Sequence, residues 1–505
     1  MKPPIKSRDS SGPMSDSIPA SALTLGIDLG TSAVKVVALS SDSHPVGEAS
    51  AAFSTRSTLA LQAEQDPADW LRAVSAAMHT LGESVVRGSG PGWIERIAAV
   101  GLTGQLPTLV CLSERGPIAP AITWKDGRAD EWASRHVDAA LRASMYAITG
   151  MPIDGRYLAP MLQFHFGERL AELRSILSAK DYLLSVLTGV ATTEPSTAAG
   201  YGIYDLRERR FNEGLSDFWR LPRALLPCIR PANSLAGPLT AAGAALLGLP
   251  AGVPVSTGAA DSVCAAYAMA GLDERVVSIS FGSSAVVIGA SAAARLDPAA
   301  RYLVTPHVSD AWYGREMDLL ATGTGYRWLT ELFSWTDGRI DAEAADSVPG
   351  ARGLTFAPYL AGGEQGALWN PRLRGALIGL TLRHSRADIA RAYLEGVFYE
   401  VKRCIEVLAE TAPVDTVRVS GTLVGSDSTL QMLADILQMP VGVTPHRSPA
   451  AIGAALLARA IAQVPYPAAA ASAPTVAPVT NPQPTTSQVY AILYRQYLAR
   501  AAACE

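Results

Sequence analysis

Two rhythms of apolar and polar positions alternate along this chain of 505 residues. Short continuous apolar runs bounded by Gly and other small residues read as buried strands. Runs with apolar residues at three- and four-residue intervals read as helices. LGIDLGTSAVKVVAL, from Leu25, predicts strand, small-residue turn and strand, and WLRAVSAAMHTLGESVV, from Trp70, predicts a helix. IERIAAVGLTGQ gives a buried strand ending in a turn at Gly104. KDYLLSVLTGV, from Lys180, is a short helix stopped by Gly189, and VPVSTGAADSVCAAYAMAG, from Val253, is strand, turn and helix. VSISFGSSAVVIGA, from Val277, predicts a second hairpin, and TFAPYLAGGEQGALWNPRLRGALIGL, from Thr355, predicts a long loop. A major helix then begins at the N-cap candidate Ser385 and runs through Leu408. VDTVRVSGTLVGSDSTLQMLADILQMPV reads as strand, turn and helix, and SPAAIGAALLARAIA as a small-residue helix suited to close packing. The Pro/Ala/Thr-rich stretch 464–486 is a linker before the terminal helix SQVYAILYRQYLARA.

The two hairpin segments are versions of one pattern, which implies two related domains. Their turns, Gly30-Thr31-Ser32 and Gly282-Ser283-Ser284, each offer backbone N–H groups and two hydroxyls to an anion. Asp28 precedes the first turn where Ser280 precedes the second, so only one copy brings a carboxylate that could hold a hard cation such as Mg²⁺. Asp261 follows a strand and opens a helix. On that segment alone, a helix-capping role and a catalytic-base role are both open.

Composition narrows the class. Apolar residues are 49% and charged residues 17%, as in folded α/β proteins, and the formal charge of −4 offers no field for nucleic acid or an anionic membrane. Five scattered cysteines without a C-x-x-C pair suit a reducing cytoplasm. No apolar run is long enough to span a bilayer, and residues 1–22 are polar and lack a signal-peptide core.

Taken in order, GIDLGTSAVKV, GLTGQ, ITWKDGRAD, KDYLLSVLTG, TGAADSVCAA, SFGSSAVVI, PYLAGGEQGALWNPRLRGALIGL and SGTLVGSDSTLQMLADILQMPV resemble the FGGY family of carbohydrate kinases. The subgroup they most resemble is the xylulokinase-type pentulose kinases. The resemblance implies an α/β protein of two actin-like, ribonuclease-H-like domains, 23–270 and 271–505, with ATP in the cleft between them and the sugar deeper in the first. It implies Asp261 as general base, Asp28 as support for Mg²⁺, and the two turns facing the triphosphate from opposite sides. It places the adenine side near Gly323, Gly325, Gly421 and Thr422, and the sugar near Gln105, Leu106, Trp124, Asp126, Asp261 and Ser262. Partners would be a small sugar and ATP, and a homodimer is compatible with it.

The departures fall on the sugar side. Gln105 is followed by Leu106-Pro107 where xylulokinases have Met-His, which removes a side chain able to donate and accept hydrogen bonds. Ser262 stands where that subgroup often has Asn, Lys125 where relatives often have Asn, and Met161 and Phe164 where the family has Lys and Trp. The expected activity is ATP-dependent phosphorylation of a sugar hydroxyl, a pentulose favoured. Another ketose or polyol, or a non-catalytic nucleotide-binding regulator, are the alternatives.

Overall fold

A computed structural model describes residues 22–89, 92–335, 340–361, 364–370, 372–444, 446–462 and 479–502. The polar N-terminal stretch up to Ser21, most of the Pro/Ala-rich linker and Cys504 lie outside the described residues.

The first hairpin forms as expected from β1 (Leu23–Leu29) and β2 (Ala33–Leu39), antiparallel, with β3 (Pro45–Ala52) beyond β2. Helix α1 (Pro67–Ser89) starts with proline at the position where its missing N–H costs nothing, and it buries Trp70 against the sheet. Next come β4 (Ile97–Gly104), β5 (Leu235–Pro238), β6 (Pro254–Ser256) and helix α2 (Asp261–Ala270). The sheet order is β5-β6-β4-β1-β2-β3, with Ala259–Ala260 also pairing the end of β4. β1 lies parallel to β4 and is buried along its whole length, which explains its unbroken apolar character.

The second half repeats this plan. β7 (Val276–Phe281) and β8 (Ala285–Ser291) form the second hairpin, with β9 (Leu303–Pro306) and β10 (Tyr313–Leu319) beyond it. Helix α3 (Arg386–Ala409) opens on the expected Ser385 cap: its hydroxyl accepts the Asp388 N–H at 3.4 Å, and the Asp388 carboxylate accepts the Ser385 N–H at 2.8 Å. β11 (Thr416–Gly421), helix α4 (Asp427–Leu437), β12 (Val441–Val443), helix α5 (Pro449–Ala462), β13 (Val479–Thr480) and helix α6 (Pro484–Ala501) follow. The order β9-β10-β8-β7-β11-β12-β13 puts a parallel pair, β7 and β11, beside an antiparallel hairpin, as β4 and β1 stand beside β2. The long loop expected after Thr355 contains a small hairpin of Thr355–Ala357 with Ala376–Ile378.

Helix α5 follows a strand of the second sheet yet lies on the first. Gly26 of β1 and Gly101 of β4 are register partners and leave a flat spot in that sheet. A Cβ on Gly26 would stand 1.8 Å from the Ala451 carbonyl oxygen, and one on Gly101 would stand 1.9 Å from that of Ala454. On the far side, a Cβ on Gly453 would stand 2.0 Å from the Cys264 carbonyl oxygen of α2. Arg459, buried, anchors the other end by donating to the Ser43 hydroxyl at 2.6 Å and to the Ser40 carbonyl.

Because backbone, not a flexible side chain, meets the added methyl, Gly453→Ala is expected to destabilise the protein by about 3 kcal/mol. Gly82→Ala, in the interior of α1 with ordinary contact to Trp93, is expected to be neutral or stabilising by about 0.5–1 kcal/mol. Urea unfolding of both variants checks the contrast, and equal midpoints would contradict the seam.

Candidate active site

Parallel strands open a crevice at their carboxyl ends, and both sheets direct such ends into one cleft of about 840 Å³. Asp28 lies near the end of β1, 5% exposed, with Lys35 as its register partner on β2. Both line the cleft. Burial raises the affinity of Asp28 for a proton, and Lys35 opposes that shift. Its Oδ1 has no hydrogen-bond partner. In the adjoining turn the Gly30 N–H closes on the Ala33 carbonyl at 3.1 Å, and Gly30, Thr31 and Ser32 line the cleft.

Asp261 reaches the same cleft along a different route. Thr103 pairs with Asp28 on one side and Ala259 on the other, which sets Asp261 two residues past that line. The approach is clamped twice. The Thr103 hydroxyl donates to the Ala259 carbonyl at 2.7 Å, and the Ala260 N–H donates to the Ser196 hydroxyl at 2.9 Å. That hydroxyl in turn donates to the Glu194 carboxylate, fully buried, at 2.8 Å. Ala260, not Asp261, holds the N-cap position, and Asp261 accepts only its neighbour's N–H, that of Ser262, at 2.8 Å. The Ser262 N–H is a first-turn donor, so this carboxylate serves the helix end through Oδ1 alone. Burial first, and the nearby Asp28 charge second, push its pKa well above the ordinary carboxylate value.

The second turn is held by backbone. The Gly282 carbonyl accepts the Gly323 N–H at 3.1 Å, and the Ser283 carbonyl accepts the Thr324 N–H at 3.1 Å. A Cβ on Gly323 would stand 2.1 Å from the Gly282 oxygen. Gly421, at φ 110°, would put one 2.0 Å from the Phe281 oxygen. Gly282, Ser283, Ser284, Gly323, Gly421 and Thr422 all line the cleft. Gly325 does not, because it packs against the Tyr393 hydroxyl instead.

On the other wall Leu106, Trp124 and Ser262 line the cleft, but two residues expected near the sugar do not. Gln105 is buried behind the wall, where its Nε2 donates to Gln65 Oε1 at 2.7 Å. Asp126 is also buried and already engaged. It accepts the Ala63 N–H at 2.9 Å and forks with Arg128, whose Nη2 lies 2.6 Å from Oδ2. Burial opposes its charge, but His165 and Arg128 outweigh that and hold the carboxyl far below its usual range. Neither lines the cleft in this structure, and both brace the loop wall behind it. Lys125 is exposed, 5.1 Å from the Trp124 ring centroid. Glu364 accepts N–H groups from Leu320, Gln365 and Gly366, which ties down its loop.

The fold adds residues that sequence reading missed. Glu316 and Asp318, two apart on β10, both line the cleft. The alternation in YGREMDL is visible in sequence, but nothing local says which face meets a cleft. Arg156, after the Asp154-Gly155 turn, also lines it, together with Lys35, Arg327 and Arg447. Among the described residues no group of three or more His, Cys, Asp or Glu could cage a metal, and no helix is long and apolar enough to cross a membrane.

Residues 23–268 match the FGGY family of carbohydrate kinases, N-terminal domain, and residues 277–462 match its C-terminal domain. The chain is 28% identical over 446 residues to the xylulose kinase of Escherichia coli K12, covering 87% of this chain and 89% of that one. It is 25% identical over 452 residues to the gluconokinase of Bacillus subtilis 168, covering 86% of each. A solved xyloylose kinase from Brucella ovis superposes with a TM-score of 0.85 at 27% identity, over 95% of this chain and 99% of that one. A gluconate kinase from Lactobacillus acidophilus, at 23% identity and a TM-score of 0.84 over 95% and 98%, shares the fold.

Burial and the adjacent Glu316 hold Asp318 up to about 8. A carboxyl with a raised folded-state pKa contributes most stability below about pH 4, where the unfolded chain also binds the proton, and loses it as pH rises toward 8. The melting temperature of the ligand-free protein is thus expected to carry a downward component across that range, and Asp318→Asn should remove part of it. Calorimetric melts from pH 5 to 8.5 check this, and parallel curves for the two proteins would contradict it.

Proposed function

The chain belongs to the FGGY family of carbohydrate kinases, and from that premise we propose that it transfers the γ-phosphoryl group of ATP to a hydroxyl of a ketose or polyol. A pentulose is the first candidate. The observation that carries this reading is the meeting of Asp28, Asp261 and both Gly-Ser/Thr turns on one cleft. Xylulose kinases recur among the relatives, and the gluconokinases keep a sugar acid in view.

In the proposed reaction Asp261 accepts the proton of the attacking hydroxyl as its oxygen bonds to the γ-phosphorus. The bond from that phosphorus to the β–γ bridging oxygen breaks, and ADP leaves with the electron pair. Desolvation makes Asp261 a stronger base than a solvated carboxylate. Thr31 and Ser32 donate to the phosphates from one jaw, and Ser283 and Ser284 from the other. Gly323, Gly421 and Thr422 form the nucleotide side.

The residues fit a magnesium ion. Asp28 supplies a buried, unpartnered oxygen at the cleft, and one carboxylate is enough for an ion that keeps waters and takes its other ligands from phosphate. Bound Mg²⁺ neutralises phosphate charge. Leu106 and Pro107 present an apolar surface to the sugar, so the acceptor is gripped chiefly from elsewhere.

Phosphoryl transfer measured across pentuloses, hexuloses and polyols tests the reading. Asp261→Ala is expected to lower kcat by roughly 10² to 10⁴-fold. Asp28→Asn is expected to raise the Mg²⁺ concentration for half-maximal rate by about 10- to 100-fold. Equal turnover by the parent and Asp261→Ala would remove Asp261 from the base role.

A further inference from the structure

The acceptor end of the cleft has an unusual charge balance. Arg156 is one cation on the cleft wall, and Asp154 and Gln365 engage most of its donors. Nε lies 3.1 Å and 3.2 Å from the two Asp154 oxygens, and Nη2 also pairs with Asp154. With the Gln365 amide assigned so that its oxygen faces the guanidinium, that oxygen accepts from Nη1 at 2.6 Å and from Nη2. A planar fork so occupied has little left for an incoming carboxylate. Lys35 belongs to the Asp28 jaw, Arg327 to the helix behind Gly323, and Arg447, exposed, precedes α5.

Carboxylates with spare acceptor capacity line the same cleft. Glu316, 8% exposed, accepts the Thr305 hydroxyl at 2.8 Å and a further hydrogen bond from the Ser262 side chain. Asp318 Oδ1 has no partner, nor has Oδ1 of Asp28, the latter carboxylate being more than nine-tenths buried. Successive side chains of a strand alternate faces, so Glu316 and Asp318 project together from β10. They reach the Asp261 region from the opposite sheet, and Asp261 senses both charges. Buried acceptors of this kind are costly unless a ligand supplies donors. A polyhydroxyl compound supplies them at each carbon. A sugar acid instead brings a negative charge beside Glu316, Asp318 and Asp261, which already crowd that part of the cleft.

We infer that Glu316 and Asp318, contributed by the second half of the chain, are acceptor-selecting residues that bind the hydroxyls of an uncharged ketose or polyol and exclude sugar acids. This rests on the kinase reading and narrows it. The two carboxyls share burial, which raises the proton affinity of both, and the Glu316 charge raises that of Asp318 further.

The test uses the full chain with Mg-ATP, neutral pentuloses and pentitols, and gluconate, in the parent, Glu316→Gln and Asp318→Asn. The parent is expected to use a neutral acceptor and to discriminate against gluconate. Each amide should raise KM for the neutral acceptor by about tenfold, the loss expected for a hydrogen bond to a charged group. KM for ATP should not move, and the discrimination against gluconate should shrink. Calorimetric titration of the same compounds with Mg-ADP present reads the wall without turnover, which separates it from the kinase reading. Neutral binding that weakens in the amide variants supports the inference even if no phosphate is transferred. Gluconate used or bound as well as the neutral compounds, no binding of any neutral compound, or amides that bind like the parent would overturn it.

Discussion

The close approach of α5 to the first sheet is the constraint on which the site depends. A helix can come this near a sheet only where backbone meets backbone; Gly26 and Gly101 give that clearance on the sheet side and Gly453 on the side of α2. The consequence is topological. α5 follows β12 of the second sheet but is packed on β1, β2 and β4 of the first, so the two halves share an element. α2, which carries Asp261, lies under the same helix and leads directly into β7. The cleft between the sheets thus has a common floor, and the carboxyl ends that bear Asp28 and Ser280 face each other across it.

Within that frame the two jaws are built differently. Backbone contacts to Gly323 and steric pressure from Gly421 hold the second turn, so its glycines act as packing requirements as well as cleft surface. Side chains hold the first turn: Gln65 donates to the Thr31 carbonyl at 2.7 Å, and Trp124 donates to the Thr31 hydroxyl at 3.2 Å. The first jaw also carries the buried carboxylate. Raised proton affinities at Asp28, Asp261, Glu316 and Asp318 share one cause, desolvation in a cleft with too few cations. Such a site is poorly satisfied when empty, and it gains from ligands that bring donors or positive charge.

What the sequence made legible follows from range. Both hairpins, the Ser385 cap, the helix stop at Gly189 and the strand–turn–helix around Asp261 are decided by neighbouring residues, and each formed where its pattern lay. The asymmetry of Asp28 and Ser280 could be read because the repeat supplied its own reference. Asp126 and Gln105 sit off the cleft for a reason local sequence does not show: their partners, Ala63 and Gln65, are distant in the chain. Arg156, Glu316 and Asp318 were missed for the converse reason. Short polar positions in ordinary turn and strand patterns become cleft residues only when two sheets converge.

Gln105 shows how acceptor choice can change without disturbing phosphate handling. Its side chain is buried against Gln65, and Gln65 continues to Thr31 of the first turn. Its backbone N–H donates to the Leu29 carbonyl at 2.9 Å, fixing the strand end beside Asp28. The next two residues, Leu106 and Pro107, face the cleft. One residue therefore serves the turn while its neighbours shape the acceptor wall, and the two tasks are separated by the direction of adjacent side chains. Replacing hydrogen-bonding residues by Leu and Pro at the wall costs the turn nothing, because no hydrogen bond that supports Thr31 passes through them. On β10, lining the same cleft, Glu316 and Asp318 instead offer carboxylate oxygens, and Asp318 Oδ1 is unpartnered.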